Sequence, residues 1–164
     1  MLKNEITELA PKSPVDSEKR REIAEMLGNL LADEYRLFVN TQGLHWNVEG
    51  PLFYSLHKLT ESQYEELFES IDTLAERIRA LGLPAPQTFK EFYDRSIVKD
   101  LPSGSTLQQR IERLVSDYEM AVRRTSLVAK LAEADGDIKT TDLLTERVGV
   151  YEENAWMLRA TIAS

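Results

Sequence analysis

The chain of 164 residues contains no cysteine, only two histidines and no long apolar run. The lack of cysteine excludes disulfides and thiolate metal sites. No apolar run approaches the ~20 residues that a membrane-spanning helix needs, and the first residues lack the apolar core of a signal peptide. We therefore expect a protein without a membrane partner, located in the cytoplasm.

The chain also has fewer basic than acidic residues, 20 against 28, so its net charge is −8. An acidic surface repels phosphate backbones and attracts cations. DNA binding would need a localised basic arm, and the segment before Pro14 is a poor candidate because its two lysines are balanced by two glutamates. The simplest interpretation of the charge is a solvated surface.

Apolar residues recur at helical spacing through most of the chain, and no segment alternates like a strand. Four long segments show this spacing: from residues 14–17 to 43–44, from 51 to 81–82, from 105 or 106 to 135, and after Gly136. A short helix around Phe92 is expected in the connection 83–103. This order predicts an all-α, ferritin-like four-helix bundle with a short helix in the long connection between helices 2 and 3. We expect one domain over residues 1–164, with 1–14 as a flexible tail.

Both histidines, His45 and His57, fall within thirteen residues, and a carboxylate series follows them: Glu61, Asp72 and Glu76. Imidazole and carboxylate together are the ligand chemistry of non-haem iron or manganese. With His57 at zero on a helical wheel, the three carboxylates lie at about 40°, 60° and 100°. All four therefore share one side of the second helix.

The spacing along that helix predicts a site shared between two chains. Eleven residues separate Glu61 from Asp72, about 16 Å along a helix. Metal–ligand bonds of roughly 2 Å cannot span that separation. An antiparallel copy of the helix would bring the His57 end of one chain against Asp72 and Glu76 of the other, giving two identical sites. His45 could fold over the same end. We therefore expect a homo-oligomer with sites at two-fold interfaces.

Two other faces of this helix carry further expectations. Apolar residues lie between the core stripe and the carboxylates, which indicates that something outside the four-helix core covers this side: Tyr64, Phe68, Ala75 and Leu81. The opposite face is expected to meet water: Ser62, Glu66, Thr73 and Arg77.

Simpler interpretations exist for each of these residues. Helical carboxylates usually form a solvated face or pair with neighbours such as Lys58 or Arg79. A lone histidine is more often a core or capping group, and Trp46 and Trp156 are more often core aromatics. The joint arrangement of imidazoles and carboxylates favours the metal site.

A di-iron oxygenase-like bundle is a rival with the same fold. Such bundles carry two Glu-x-x-His motifs. Gln42 and Tyr54 stand three residues before the two histidines, so neither motif is present.

The segment 44–57, Leu-His-Trp-Asn-Val-x-Gly-x-x-Phe-x-x-Leu-His, closely resembles the signature of Dps, the DNA-binding protein from starved cells, a miniferritin. The resemblance continues in four further segments: 64–66, 71–82, 141–147 and 155–160. It implies a hollow dodecamer that oxidises Fe(II), preferably with hydrogen peroxide, and stores ferric mineral, which would protect the cell against oxidative damage.

The resemblance also implies a role for each residue of the site. Two irons would be held by ligands from two subunits: His45 and His57 from one, Asp72 and Glu76 from its two-fold neighbour. Glu61 occupies the remaining acidic ligand position, where the family usually has Asp. Trp46 matches the family's aromatic residue beside the centre and would accept stray oxidising equivalents.

Two further family properties have a weaker basis in this chain. DNA binding in the family often depends on a lysine-rich tail, and neither end of the chain has one. A DNA-compacting or structural assembly with little ferroxidase activity remains the alternative function. Acidic residues line ion-entry pores in the family, and the matching candidates are Asp142, Asp135 and Asp137.

Overall fold

The computed structural model describes residues 12–163 and contains five helices and no strand in that range. They are α1 (Ser17–Asn47), α2 (Phe53–Ala80), α3 (Phe89–Arg95), α4 (Leu107–Ala134) and α5 (Ile138–Thr161). The predicted all-α bundle, with a short helix between its second and third long helices, is confirmed. The predicted flexible tail lies, through residue 11, outside the described residues. None of the helices in residues 12–163 combines the length and apolar character that crossing a bilayer requires.

Side-chain caps fix where the helices begin. Asp16 caps α1, accepting a hydrogen bond from the Glu18 N–H at 2.8 Å. Thr106 caps α4 and exchanges hydrogen bonds with Gln109, which satisfies backbone N–H groups that a helix start leaves free. Gly136, with φ +75°, follows α4 and allows the chain to turn into α5.

The turn between α1 and α2 determines where the two histidines lie. Helix α1 continues to Asn47, about three residues beyond the predicted end, so His45 lies in its last turn. Gly50 has φ +89°, which glycine adopts without steric cost, and its carbonyl accepts from the Phe53 N–H at 3.0 Å. Helix α2 starts there, and the reversal brings His57 back alongside the end of α1.

Most of the buried apolar side chains come from the four long helices and form two clusters along the bundle. One cluster joins the N-terminal half of α1 to the C-terminal half of α2, with fully buried members including Leu27, Leu31, Leu74 and Ile78. The other lies towards the α1–α2 turn, with fully buried members including Leu44, Leu56, Leu67 and Tyr118. Burying a side chain of this size contributes about 1.5–3 kcal/mol. These two clusters hold α1 and α2 antiparallel.

Asp33 fastens the long connection between α2 and α4. Its carboxylate is buried and accepts hydrogen bonds from the Ser96 hydroxyl at 2.8 Å and the Ile97 N–H at 2.9 Å. Arg124 of α4 donates to the same carboxylate at 2.6 Å. One buried anion therefore holds α1, the connection and α4 together.

The far face of α2, which was predicted to meet water, is partly covered at two residues. Arg77 donates to the Asp137 carboxylate at 2.7 Å, and Glu66 pairs with Arg147. Both partners belong to α5 or its cap, because α5 runs beside this face of α2. Leu81 also departs from prediction, since it is 2% exposed within the core instead of lying on the side covered from outside.

Candidate metal centre

The two imidazole rings lie face to face where α1 ends and α2 begins. Their centroids are 3.8 Å apart and their planes differ by 18°. His45 is buried, and His57, in the second turn of α2, is half-buried. The pair is therefore formed by one chain and is held by the turn that joins the two helices.

Reciprocal hydrogen bonds fix the orientation of both rings. The Nδ1 of His45 lies 2.9 Å from the His57 carbonyl oxygen, and the Nδ1 of His57 lies 3.2 Å from the His45 carbonyl oxygen. A carbonyl only accepts, so each Nδ1 carries the hydrogen and donates. In the neutral rings each Nε2 then keeps its lone pair. Backbone acceptors of this kind commonly orient histidine ligands of metals.

Glu61 completes a three-residue cluster with the two histidines. One ligand atom from each of the three residues lies within 4.8 Å of the other two, and no other such group occurs in residues 12–163. Lys58 donates to the Glu61 carboxylate at 2.7 Å, which is the pairing expected of a simple solvated face. The hydrogen bond from Lys58 lowers the pKa of Glu61, so its carboxylate is ionised at neutral pH.

The other two predicted ligands lie apart from this cluster. Asp72 and Glu76 are exposed further along α2 and are not among the clustered residues. A single copy therefore brings together three of the five predicted ligands. The remaining two stay predicted ligands of a neighbouring copy.

Aromatic rings enclose the histidine pair on two sides. Phe53 stacks on His57 with centroids 5.1 Å apart, and Tyr64 meets His45 edge-on at 5.1 Å. The sequence analysis assigned no role to Phe53. Its position four residues before His57 on the same helix was the available signal, because residues at that spacing are neighbours on a helix surface.

Three large aromatic side chains that lie near the site residues in the sequence are exposed. Exposed fractions are 68% for Trp46, 74% for Tyr54 and 65% for Phe68. The simpler interpretation of Trp46 and Trp156 as core aromatics does not hold, since Trp156 is also 61% exposed. Grouped apolar side chains of this size on a surface mark interaction sites.

Of the three acidic residues considered for a pore, Asp137 is already engaged within the bundle. It is buried, caps α5 and accepts hydrogen bonds from Arg77 and Thr140. Asp142 is exposed and pairs with Lys139 at 2.9 Å. Asp142 thus keeps a surface carboxylate, whereas Asp137 does not.

Comparison with known proteins identifies the family. The model of the ferritin-like domain matches residues 24–164. The DNA protection during starvation protein 2 of Bacillus anthracis is 36% identical over 143 residues, which cover 85% of this chain and 96% of the relative. The chain belongs to the Dps family of ferritin-like proteins.

Solved Dps structures share the fold over nearly the full length. The Dps protein of Vibrio cholerae O1, described as a member of a superfamily of ferritin-like diiron-carboxylate proteins, superposes with a TM-score of 0.88 at 27% identity. It covers 96% of this chain and 99% of the other. DpsC of Streptomyces coelicolor superposes with a TM-score of 0.91 at 26% identity, covering 96% and 92% of the two chains.

Proposed function

We propose that this Dps protein is a ferroxidase and an iron store. It would oxidise Fe(II) with hydrogen peroxide, or with dioxygen, and keep the ferric product as mineral inside a hollow homo-oligomer, a dodecamer if it assembles as the resemblance implies. The activity would protect the cell against oxidative damage. The observation that carries the proposal is the cluster of His45, His57 and Glu61.

The ligand chemistry supports iron as the substrate. Two imidazole nitrogens and a carboxylate oxygen suit non-haem iron. Oxygen anions favour Fe(III) over Fe(II), because the harder and more highly charged ion gains more from them. Glu61 on this side, with Asp72 and Glu76 from a neighbouring copy, would therefore favour loss of an electron from each iron.

Two Fe(II) ions at one centre would supply the two electrons that one hydrogen peroxide molecule accepts. Two Fe(II) ions give two electrons, and one hydrogen peroxide takes those electrons with two protons to form two water molecules. Paired transfer of this kind releases no hydroxyl radical. Trp46 lies beside His45 in the chain, and we propose that it accepts the oxidising equivalents that escape paired transfer.

The shared centre requires a second copy, and the surface of this chain supports one. Asp72 and Glu76 are exposed on α2, as ligands for a neighbour's iron would be before assembly. Phe68 is exposed between Glu61 and those two carboxylates along the helix and offers an apolar contact for the partner. The proposal takes the whole chain as one ferritin-like domain, and the cytoplasmic location stays a prediction.

The proposal is tested by adding Fe(II) anaerobically, then peroxide or air, and following ferric absorbance. The parent protein is compared with His45→Ala/His57→Ala and with Glu112→Gln, an exposed residue of α4 remote from the site in sequence. We expect the double variant to lose most of the protein-dependent rate and the α4 variant to keep it. Equal rates in all three proteins would show that the centre is elsewhere.

DNA compaction is the second candidate, favoured by the name that the Bacillus relative carries. The net charge of −8 opposes it. A gel shift across salt concentrations separates the two functions, since phosphate contacts weaken steeply with salt. DNA compaction would be favoured by two results together. The parent protein would slow the migration of DNA in the gel, and the double histidine variant would oxidise iron at the parent rate.

A further inference from the structure

A second group of charged side chains lies inside the bundle and belongs to no part of the proposed ferroxidase centre. At its middle is Glu34 of α1, which is fully buried. One carboxylate oxygen accepts from Arg147 Nε at 2.7 Å, from the Ser70 hydroxyl at 3.0 Å and from the Tyr151 hydroxyl. Helices α1, α2 and α5 therefore meet at a single buried carboxylate.

Arg147 joins this carboxylate to a second one. Its terminal nitrogens donate to both oxygens of Glu66 on α2, one of them at 3.3 Å. The Arg147 side chain is 5% exposed and that of Glu66 is 35% exposed. One guanidinium thus separates two carboxylates from facing helices, and the three groups, when ionised, carry a net charge of −1.

The other oxygen of Glu34 is buried and has no hydrogen-bond partner among the described residues. Leaving a polar atom bare in a protein interior is costly. Burial raises the pKa of Glu34, and the nearby Arg147 guanidinium opposes that rise. One buried oxygen of Glu34 is therefore left without a partner, and an ionised Glu34 could use it to bind a cation.

Paired carboxylates from facing helices are also the material from which four-helix bundles build metal sites. Carboxylate, hydroxyl and amide oxygens suit hard divalent cations. In this chain the guanidinium of Arg147, on α5, already lies between the two carboxylates. A divalent ion could enter only if that guanidinium were absent.

We propose that Arg147 is a specificity-determining residue that closes a divalent-metal site in the bundle interior and so restricts metal binding to the His45 cluster. The closed site comprises Glu34 and Glu66, with the Tyr151 hydroxyl beside them. This proposal depends on the geometry of the bundle interior and not on the ferroxidase proposal. It is therefore tested in a variant that lacks both histidines.

The test uses Co(II) as the probe in the His45→Ala/His57→Ala background. Arg147→Ala is added to that background, and bound Co(II) is counted by equilibrium dialysis and followed by its visible absorption. We expect at least one additional Co(II) per chain in the triple variant. Adding Glu34→Gln should remove the gain, because it takes away the buried anionic oxygen.

Arg113→Ala is the matched control in the same background. Arg113 also holds a buried carboxylate, that of Asp117, at 2.9 Å, but within residues 12–163 it donates to no second carboxylate. We expect no additional Co(II) there. A gain in the Arg113 variant equal to that in the Arg147 variant, or a gain that survives Glu34→Gln, would overturn the proposal.

Loss of Arg147 also leaves two carboxylates facing each other, so the alanine variant is measured with and without Co(II) by circular dichroism. Arg147→Gln provides a second variant that keeps more of the side-chain volume. Recovery of helical signal, or a raised melting temperature, on adding Co(II) to either variant supports the proposal. If Co(II) neither binds above the background nor restores folding in both variants, the proposal is wrong.

Discussion

His45 and His57 each direct the ring Nδ1 at the other's backbone carbonyl oxygen, at 2.9 and 3.2 Å. Both of these hydrogen bonds are accepted by backbone and not by a side chain. The relationship holds as long as the end of α1 and the start of α2 stay together, and the Gly50 turn keeps them so. The Nε2 atoms, which are the proposed ligand atoms, are therefore positioned with the help of backbone that any folded copy possesses.

This relationship predicts the tautomer of both rings. At a pH where the imidazoles are neutral, we expect hydrogen on Nδ1 and a free Nε2 in each, measured by the ¹⁵N shifts of labelled histidine in the metal-free protein. His57→Ala should leave His45 in the same tautomer, because the backbone carbonyl at position 57 remains. Hydrogen on Nε2 of either ring would contradict the hydrogen-bond assignment.

Lys58 would compete with a bound metal for the Glu61 carboxylate. Its ammonium donates to Glu61 at 2.7 Å, and a bound metal would have to displace it. Exposed pairs of this kind are weak, so we expect Lys58→Ala to tighten Co(II) binding only about 1.5- to 5-fold, measured by calorimetry. Lys90→Ala is the control, because Lys90 holds Asp94 on α3 in a similar pair. Weaker binding in the Lys58 variant would mean that the lysine assists the site.

Substitution of Phe68, which is exposed, tests the proposed subunit interface, which we call the seam. Phe68→Glu places a charge on the apolar surface beside the candidate centre, where burial against a partner would leave it unpaired. We expect smaller particles by sedimentation and a slower peroxide-dependent oxidation of Fe(II). Ser62→Glu on the opposite side of α2 adds the same charge and should change neither measurement. Intact assembly in the Phe68 variant would place the seam elsewhere.

Asp137 gives the fold a pH dependence of known sign. Burial would raise its pKa, but hydrogen bonds from Arg77 and Thr140 outweigh burial and hold the pKa below its usual range. A depressed folded-state pKa stabilises the protein above the unfolded-state pKa, and this stabilisation is lost as pH falls through the folded-state value.

Asp137→Asn tests this, because asparagine still caps a helix but carries no charge. We expect urea unfolding to show a loss of about 1.5–3 kcal/mol at neutral pH. The difference from the parent should shrink as the solution is acidified towards the folded-state pKa. A difference that stays constant with pH would assign the effect to packing instead of charge.

The sequence predicted the helices, and it predicted that His45, His57 and Glu61 lie together, because apolar spacing and a four-residue step along α2 are local properties. The ligand roles of these three residues, and those of Asp72 and Glu76, stay predictions.

The ion-pair partners of Glu66 and Arg77 could not be predicted from local sequence. Both lie opposite the main core stripe, and only the path of α5 brings Arg147 and Asp137 to them. A helical wheel cannot show which neighbour approaches a polar face.

The exposure of Trp46 and Trp156 departs from the simpler interpretation as core aromatics for a related reason. Aromatic residues usually fill the core of a single chain, and the sequence does not distinguish that core from a surface that assembly covers. The glutamate in place of the family's usual aspartate at position 61 was visible from sequence, but its hydrogen bond with Lys58 needed the side-chain geometry.

The positive charge of Arg147 bears on how the protein folds without metal. Its guanidinium is supplied with the polypeptide during translation, so the counter-charge between Glu34 and Glu66 is present from the first moment of folding. Chelators cannot remove it. We therefore expect the metal-free chain to fold with this part of its interior already charge-compensated.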